Sequence, residues 1–147
     1  MKKFIFLLLI SSSLITNAND SNEIDNDFII RVSTDRQGAY LIRYYQTLDS
    51  FCLGHLDSVA FDESNKRSTS WVIANTKPLC HLYDKEVATG YTDAHVEKVE
   101  FEEGLVRLFI SYTHLRKFGE YKTECTVKVE DGEFGELECE EGVREDA

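Results

Sequence analysis

The chain has 147 residues, with 27 Asp and Glu against 16 Lys and Arg and a formal net charge of −11. That length holds one domain core, and 42% hydrophobic with 29% charged residues predicts a packed globule rather than a disordered chain. The acidic balance excludes a general nucleic-acid binder and a protein that docks on anionic lipid, because both need a basic face.

Lys2 and Lys3 precede the apolar stretch Phe4 to Ile10, which continues through Ser11–Ser13 to Leu14 and Ile15 before Thr16-Asn17-Ala18. A charged start, a short apolar run and a small residue at the cut predict a secretory signal peptide over 1–18. The serines break the run short of the about 20 apolar residues that a membrane span needs. The expected compartment is the periplasm. Residues 19–27 are polar without periodicity and read as a disordered lead-in. Residues 28–147 read as a single globular domain with an acidic C-terminal tail.

Phe28–Val32 is a short strand candidate. Thr34-Asp-Arg-Gln37 has the capping-box pattern, and Gly54 is a stop signal. Between them Leu41, Tyr44/Tyr45, Leu48 and Phe51/Cys52 recur at helical spacing, which predicts a helix. The rival is a strand, since Gly38 to Tyr45 is aromatic-rich and β-prone. Short strands follow at Ser58–Phe61, Ser70–Ala74 and around Cys80–Tyr83. Lys85 to Ala94 reads as a turn-rich loop with Gly90-Tyr91 exposed.

His95–Phe101 is a strand leading into the turn Glu102-Glu103-Gly104. Leu105–Thr113 follows, with Val106, Leu108, Ile110 and Tyr112 on one face. A link through Leu115 to Glu120 leads to Tyr121–Glu130, where Thr123, Cys125, Val127 and Val129 share a face and Lys122, Glu124, Thr126, Lys128 and Glu130 share the other. Glu136–Glu140 alternates too, with Leu137 and Cys139 opposite the glutamates. The predicted class is α+β: an antiparallel β-meander sheet with one helix packed on it and two disulfides. The alternative is an all-β sandwich or barrel.

Cys52, Cys80, Cys125 and Cys139 are an even set in an exported chain, so two disulfides are expected. Asp131-Gly132 signals a hairpin. A strict two-residue loop would put Leu137 and Cys139 on the glutamate face of the preceding strand, because a one-residue slip flips every side chain. A three-residue loop, Asp131-Gly132-Glu133, pairs Val127 with Leu137 and Cys125 with Cys139. This selects Cys125–Cys139 and leaves Cys52–Cys80. No C-x-x-C or zinc spacing is present, so no metal is expected.

None of His55, His81, His95 and His114 sits in a metalloprotease motif. No nucleophile elbow, phosphate loop or dinucleotide fingerprint occurs. No catalytic residue and no cofactor is therefore expected, and the chain is read as a binding protein, not an enzyme. Residues 130–146 carry nine carboxylates and one Arg. Such a segment fits a solvated outer face or an electrostatic docking surface for a basic protein. An open meander leaves edge strands that a second copy would cover, so a homodimer is expected, its interface apolar and away from the Glu-rich segment.

The whole-chain profile of export signal, acidic charge and four cysteines resembles two related classes. They are periplasmic lysozyme inhibitors and the periplasmic immunity proteins that neutralise peptidoglycan-hydrolysing effectors of type VI secretion. Thr89-Gly90-Tyr91 and Phe118-Gly119-Glu120-Tyr121 come nearest to the Ser-Gly-x-x-Tyr loop of lysozyme inhibitors. Both lack its Ser and its spacing, which favours the immunity class. The resemblance implies a basic protein toxin or peptidoglycan hydrolase as partner, blocked at its active site. Tyr83, Tyr91, Asp93, Glu102 and Glu103, all at inferred loops or turns, are the expected partner-binding residues, since aromatic anchors and loop carboxylates would enter a basic cleft. The alternative function is a non-catalytic envelope binding or assembly accessory.

Overall fold

The computed structural model describes residues 29–48, 51–61 and 71–145. The predicted signal peptide and lead-in lie outside the described residues. Two antiparallel meanders make up the fold. The first sheet runs in the order β1 (Ile29–Gln37), β2 (Tyr40–Thr47), β3 (His55–Phe61) and β4 (Trp71–Pro78). The second holds β7 (Tyr91–Glu102), β8 (Leu105–His114), β9 (Tyr121–Glu130) and β10 (Glu133–Cys139), and β11 (Val143–Arg144) extends the β10 edge of β9. Between the sheets in sequence lie the small hairpin β5 (His81–Leu82) and β6 (Lys85–Glu86) and a single helical turn, α1 (Val87–Gly90).

The fold is therefore all-β rather than α+β, and the helix expected after Thr34 does not form. Residues 34–47 belong to β1 and β2, joined by a tight turn in which Gly38 (φ +59°) carries the positive φ. The helical spacing has a simple cause. Ile42 and Tyr44 face the core, while Leu41 and Tyr45 lie on the outer face among Val59 and His55. A strand apolar on both faces loses the period-2 signature and imitates a helix. Gly54 is no helix stop; it makes room for the Tyr44 ring, which a Cβ there would approach to 2.6 Å.

The inner faces of the sheets stack into one core. Ile42, Tyr44 and Leu56 meet Val106, Leu108, Ile110, Cys125 and Val127 across the interface. Ridges of inward side chains from both sheets interlock as in other sandwiches. Each edge strand then sets its polar side chains against the opposite sheet. The Arg31 guanidinium donates to the Val96 and Glu97 carbonyls at 2.6 and 3.0 Å, and Gln37 Nε2 donates to the Glu102 carbonyl at 2.8 Å. On the far side Asn75 donates to Glu133 at 2.6 Å, and Lys77 pairs with Glu136 at 3.2 Å. Strands β1 and β7, and β4 and β10, thus lie beside each other and are tied by side chains. The acidic C-terminal segment contains β10 and β11, separated by residues 140–142, and Glu133 and Glu136 of β10 supply the carboxylates of these ties.

Both disulfides are present, Cys52–Cys80 and Cys125–Cys139, and Val127 faces Leu137 as alternation requires. The register is reached differently from the three-residue loop expected. Glu130 pairs with Glu133 across a two-residue turn in which Asp131 (φ +50°) and Gly132 (φ +79°) both have positive φ, the geometry of a type I′ turn. A bulge between Phe134 and Leu137 then inserts the missing residue and returns Leu137 and Cys139 to the core face.

The Tyr44 hydroxyl is buried and donates to the Leu53 carbonyl at 2.5 Å. Burial pushes it up to about 12, with Arg31 opposing in part. Below the unfolded value of 10 both states keep the proton and the contribution to stability is whole; it is lost as pH rises from 10 through 12. Removing this one titration should make alkaline destabilisation shallower by about 2 kcal/mol over that window. Thermal unfolding of the parent and of Tyr44→Phe from pH 9 to pH 12 checks this; parallel stability profiles would contradict it.

Candidate partner-binding site

β1 runs alongside β7 in the same direction, since Arg31 meets residues 96–97 and Gln37 meets residue 102. This alignment brings three hairpin turns to one end: Gly38-Ala39, Glu103-Gly104 and Asp131-Gly132. They surround a cavity of about 510 Å³ lined by Asp35, Glu102, Glu103 and Asp131 over a floor that includes Tyr40 and Phe101. Arg36 is the cation on its wall, and its Nε donates to the Gly38 carbonyl at 3.4 Å. Glu103 and Asp131 in the turns and Asp35 and Glu102 at the strand ends beside them, against one arginine, give the lining an excess of negative charge.

The turns are fixed to one another. Gln37 Nε2 reaches the Glu102 carbonyl at 2.8 Å and the Leu105 carbonyl at 3.4 Å. The Val129 amide donates to the Gly104 carbonyl at 2.9 Å. Tyr40 lays its ring over Gly132, where a Cβ would come within 2.7 Å of the ring. Glu102 is further oriented by Arg107, whose Nε donates to Oε1 at 3.0 Å. Tight turns with cross-ties lose little freedom on binding, which suits a rigid docking surface.

Of the expected partner-binding residues, only Glu102 and Glu103 lie here. Tyr91 and Asp93 sit at the start of β7 and Glu102 at its finish, roughly 35 Å apart along an extended strand. The structure therefore divides the set between two ends. Tyr91 is not the exposed loop residue expected: it is buried, and its hydroxyl donates to the Leu82 carbonyl at 2.9 Å. Its ring stacks on His114 and meets Tyr112 edge-on, inside a cluster with Tyr121. Burial, then Tyr83 and Asp84, push the Tyr91 hydroxyl up, and burial with the Tyr83 hydrogen bond pushes Tyr112 up as well. Tyr83 keeps an exposed edge while donating to the Glu140 carbonyl at 2.7 Å. Asp93 pairs with His95 at 3.3 Å.

The acidic end includes Asp35, Tyr40 and Asp131, none of which is among the partner-binding residues expected from sequence. The turn signals Gly38-Ala39 and Asp131-Gly132 were the available clue, but the pairing of β1 with β7 that unites them leaves no local pattern. Among the described residues no three His, Cys, Asp or Glu side chains are grouped to hold a metal ion. No helix among them is long and apolar enough to cross a membrane. The two disulfides point to an oxidising compartment. Comparison with known proteins finds no matching family model, no matching curated protein and no matching solved structure.

Gly132 should be the position on which the acidic end depends most. Gly132→Ala combines a positive φ with a collision against Tyr40, and a loss of about 2 kcal/mol is expected. Denaturant unfolding checks the size. Tyr40 and Gly104 resonances should move while those of the Tyr91–His114 cluster stay in place; stability unchanged from the parent would contradict the packing described.

Proposed function

We propose that the protein is a periplasmic immunity or inhibitor protein that binds and blocks a basic cell-wall-degrading effector, a lysozyme-like hydrolase, through its acidic hairpin end. The observation that carries this is the convergence of Asp35, Glu102, Glu103 and Asp131 on three cross-tied turns. Enzymes that grip an anionic wall polymer present basic clefts, and a rigid acidic projection complements such a cleft. Opposite charge raises the encounter rate and selects the partner, while Tyr40 and Phe101 beneath the carboxylates supply apolar contact.

A second reading, a non-catalytic envelope binding or assembly accessory, is favoured by the outer face of the first sheet. Ile30, Val32, Phe61 and Trp71 are exposed there, and Phe61 and Trp71 pack edge-to-face.

Affinity capture on the immobilised mature protein, from envelope and secreted fractions, tests the first reading. The captured protein should digest purified peptidoglycan, and one equivalent of this protein should stop it. A captured set without wall-degrading activity would contradict the inhibitor role. Changing Glu102 and Glu103 to Gln and Asp131 to Asn keeps shape and backbone tolerance but removes three charges. The association rate should fall about tenfold at low salt and lose most of its salt dependence. Stopped-flow mixing with the captured hydrolase reads this, and an unchanged rate would mean that the charges serve solubility only.

A further inference from the structure

The end opposite the acidic turns carries a cavity of about 500 Å³ between the β6–α1 segment and the link after β8. Its charged lining is Lys85, Arg116 and Lys117 against Glu86, with His114 at the base. In a chain with a large excess of carboxylates, cations find acidic partners easily. Among the described residues, the Lys and Arg side chains that make no ion pair or hydrogen bond are Lys85, Arg116, Lys117, Lys128 and Arg144. Three of these five line this one cavity.

The setting orders the groups. His114 is held from behind by the rings of Tyr91, Tyr112 and Tyr121, at centroid distances of 5.6, 5.2 and 5.1 Å. Partial burial and the nearby Lys117 and Lys85 hold its imidazole below the usual histidine range, so it faces the cavity mainly neutral at pH 7. The stem of Lys85 rests on Gly90, where a Cβ would come within 2.8 Å of the Lys85 Cβ. The lining carboxylate is already engaged: Glu86 Oε2 accepts from the Thr89 hydroxyl at 3.4 Å. Three cations and one carboxylate leave an excess of two positive charges.

The geometry points to an anion-binding site at Lys85, His114, Arg116 and Lys117 that takes a phosphate monoester. A dianion matches the charge excess, whereas a single carboxylate would leave one positive charge uncompensated. Arg116 can offer a paired donor fork and the lysines point charges. His114 can donate one N–H, and protonates more readily once an anion lies beside it. The cavity exceeds a phosphate group in size, so the rest of the ligand would lie along Leu115 and Gly90. This site is separate from the acidic end and stands whether or not the partner there is a hydrolase.

The test is an NMR titration of isotope-labelled mature protein with phenyl phosphate, and with benzoate as a monoanion of similar shape. Phenyl phosphate should give saturable shifts confined to residues 85–90 and 114–117, with benzoate bound at least about tenfold more weakly, the scale of one charge-assisted hydrogen bond. Lys85→Gln with Lys117→Gln should weaken phenyl phosphate by about tenfold or more while leaving the unfolding temperature unchanged. Gly90→Ala, which displaces Lys85 without changing charge, should weaken it by a smaller factor. Absence of saturable shifts, equal binding of the two anions, or unchanged binding in the double variant would each overturn the assignment.

Discussion

The fold depends on what happens where its hydrogen-bond ladders stop. Two stacked sheets, of four and five strands, leave edge strands whose outward amides and carbonyls backbone pairing does not satisfy. Here the edges are closed with side chains. Arg31 turns inward and spends its guanidinium on two carbonyls of β7, Gln37 does the same further along, and Asn75 and Lys77 engage carboxylates of β10. The Arg31 bonds are charge-assisted and so stronger than neutral ones. They also fix register, because a one-residue slip would turn Arg31 to the outer face and an apolar neighbour to the seam.

Aligning β1 with β7 has a consequence at both ends. It gathers the three two-residue turns at one end, where β3 also ends and β4 begins, and puts the β2–β3 and β8–β9 connections at the other. Glu103 and Asp131 lie in these turns, and Asp35 and Glu102 stand beside them, so four carboxylates meet at the first end. The second end holds the Cys52–Cys80 bridge, the tyrosine–histidine cluster and the unpaired cations. Carboxylates thus line the cavity at the first end and unpaired cations the cavity at the second, a separation that composition does not reveal. Charge is also neutralised locally, at Glu102 of the acidic end as well as away from it. On the outer face of the second sheet Arg107 bridges Glu102 and Glu124, and Lys122 bridges Glu97 and Glu145. On the outer face of the first, the fully buried Asp57 is held by Arg43 at 2.7 Å and Thr76 at 2.8 Å, so its charge is compensated where water is excluded.

How much of this was legible follows from the range of each interaction. The β7–β10 meander, its inward faces and the Cys125–Cys139 bridge were readable because Val106 to Tyr112 and Thr123 to Val129 alternate cleanly over a single core. β2 was misread because both of its faces are apolar, so Leu41, Tyr44 and Leu48 fitted a helical period. The two-residue turn at Asp131-Gly132 was set aside because the compensating bulge beyond Phe134 has no signature apart from Gly135. Arg31 and Gln37 look like surface residues in sequence; only the opposing sheet makes them seam donors. For the site, Glu102 and Glu103 were legible as a turn, but their meeting with Asp35 and Asp131 is set by strand stacking across more than sixty residues. In sequence Tyr91 reads as a loop residue because Gly90 precedes it, whereas the aromatic cluster buries it.

The most direct test of the account is a hydrogen-exchange footprint of the protein mixed with the basic wall hydrolase proposed as its partner. Protection gained on binding should concentrate at residues 35–40, 101–105 and 129–133, the three cross-tied turns, and leave residues 83–93 and 114–118 unchanged. Protection confined to the outer face of the first sheet, or to the cationic end, with the three turns exchanging as in the free protein, would contradict the placement of the docking surface.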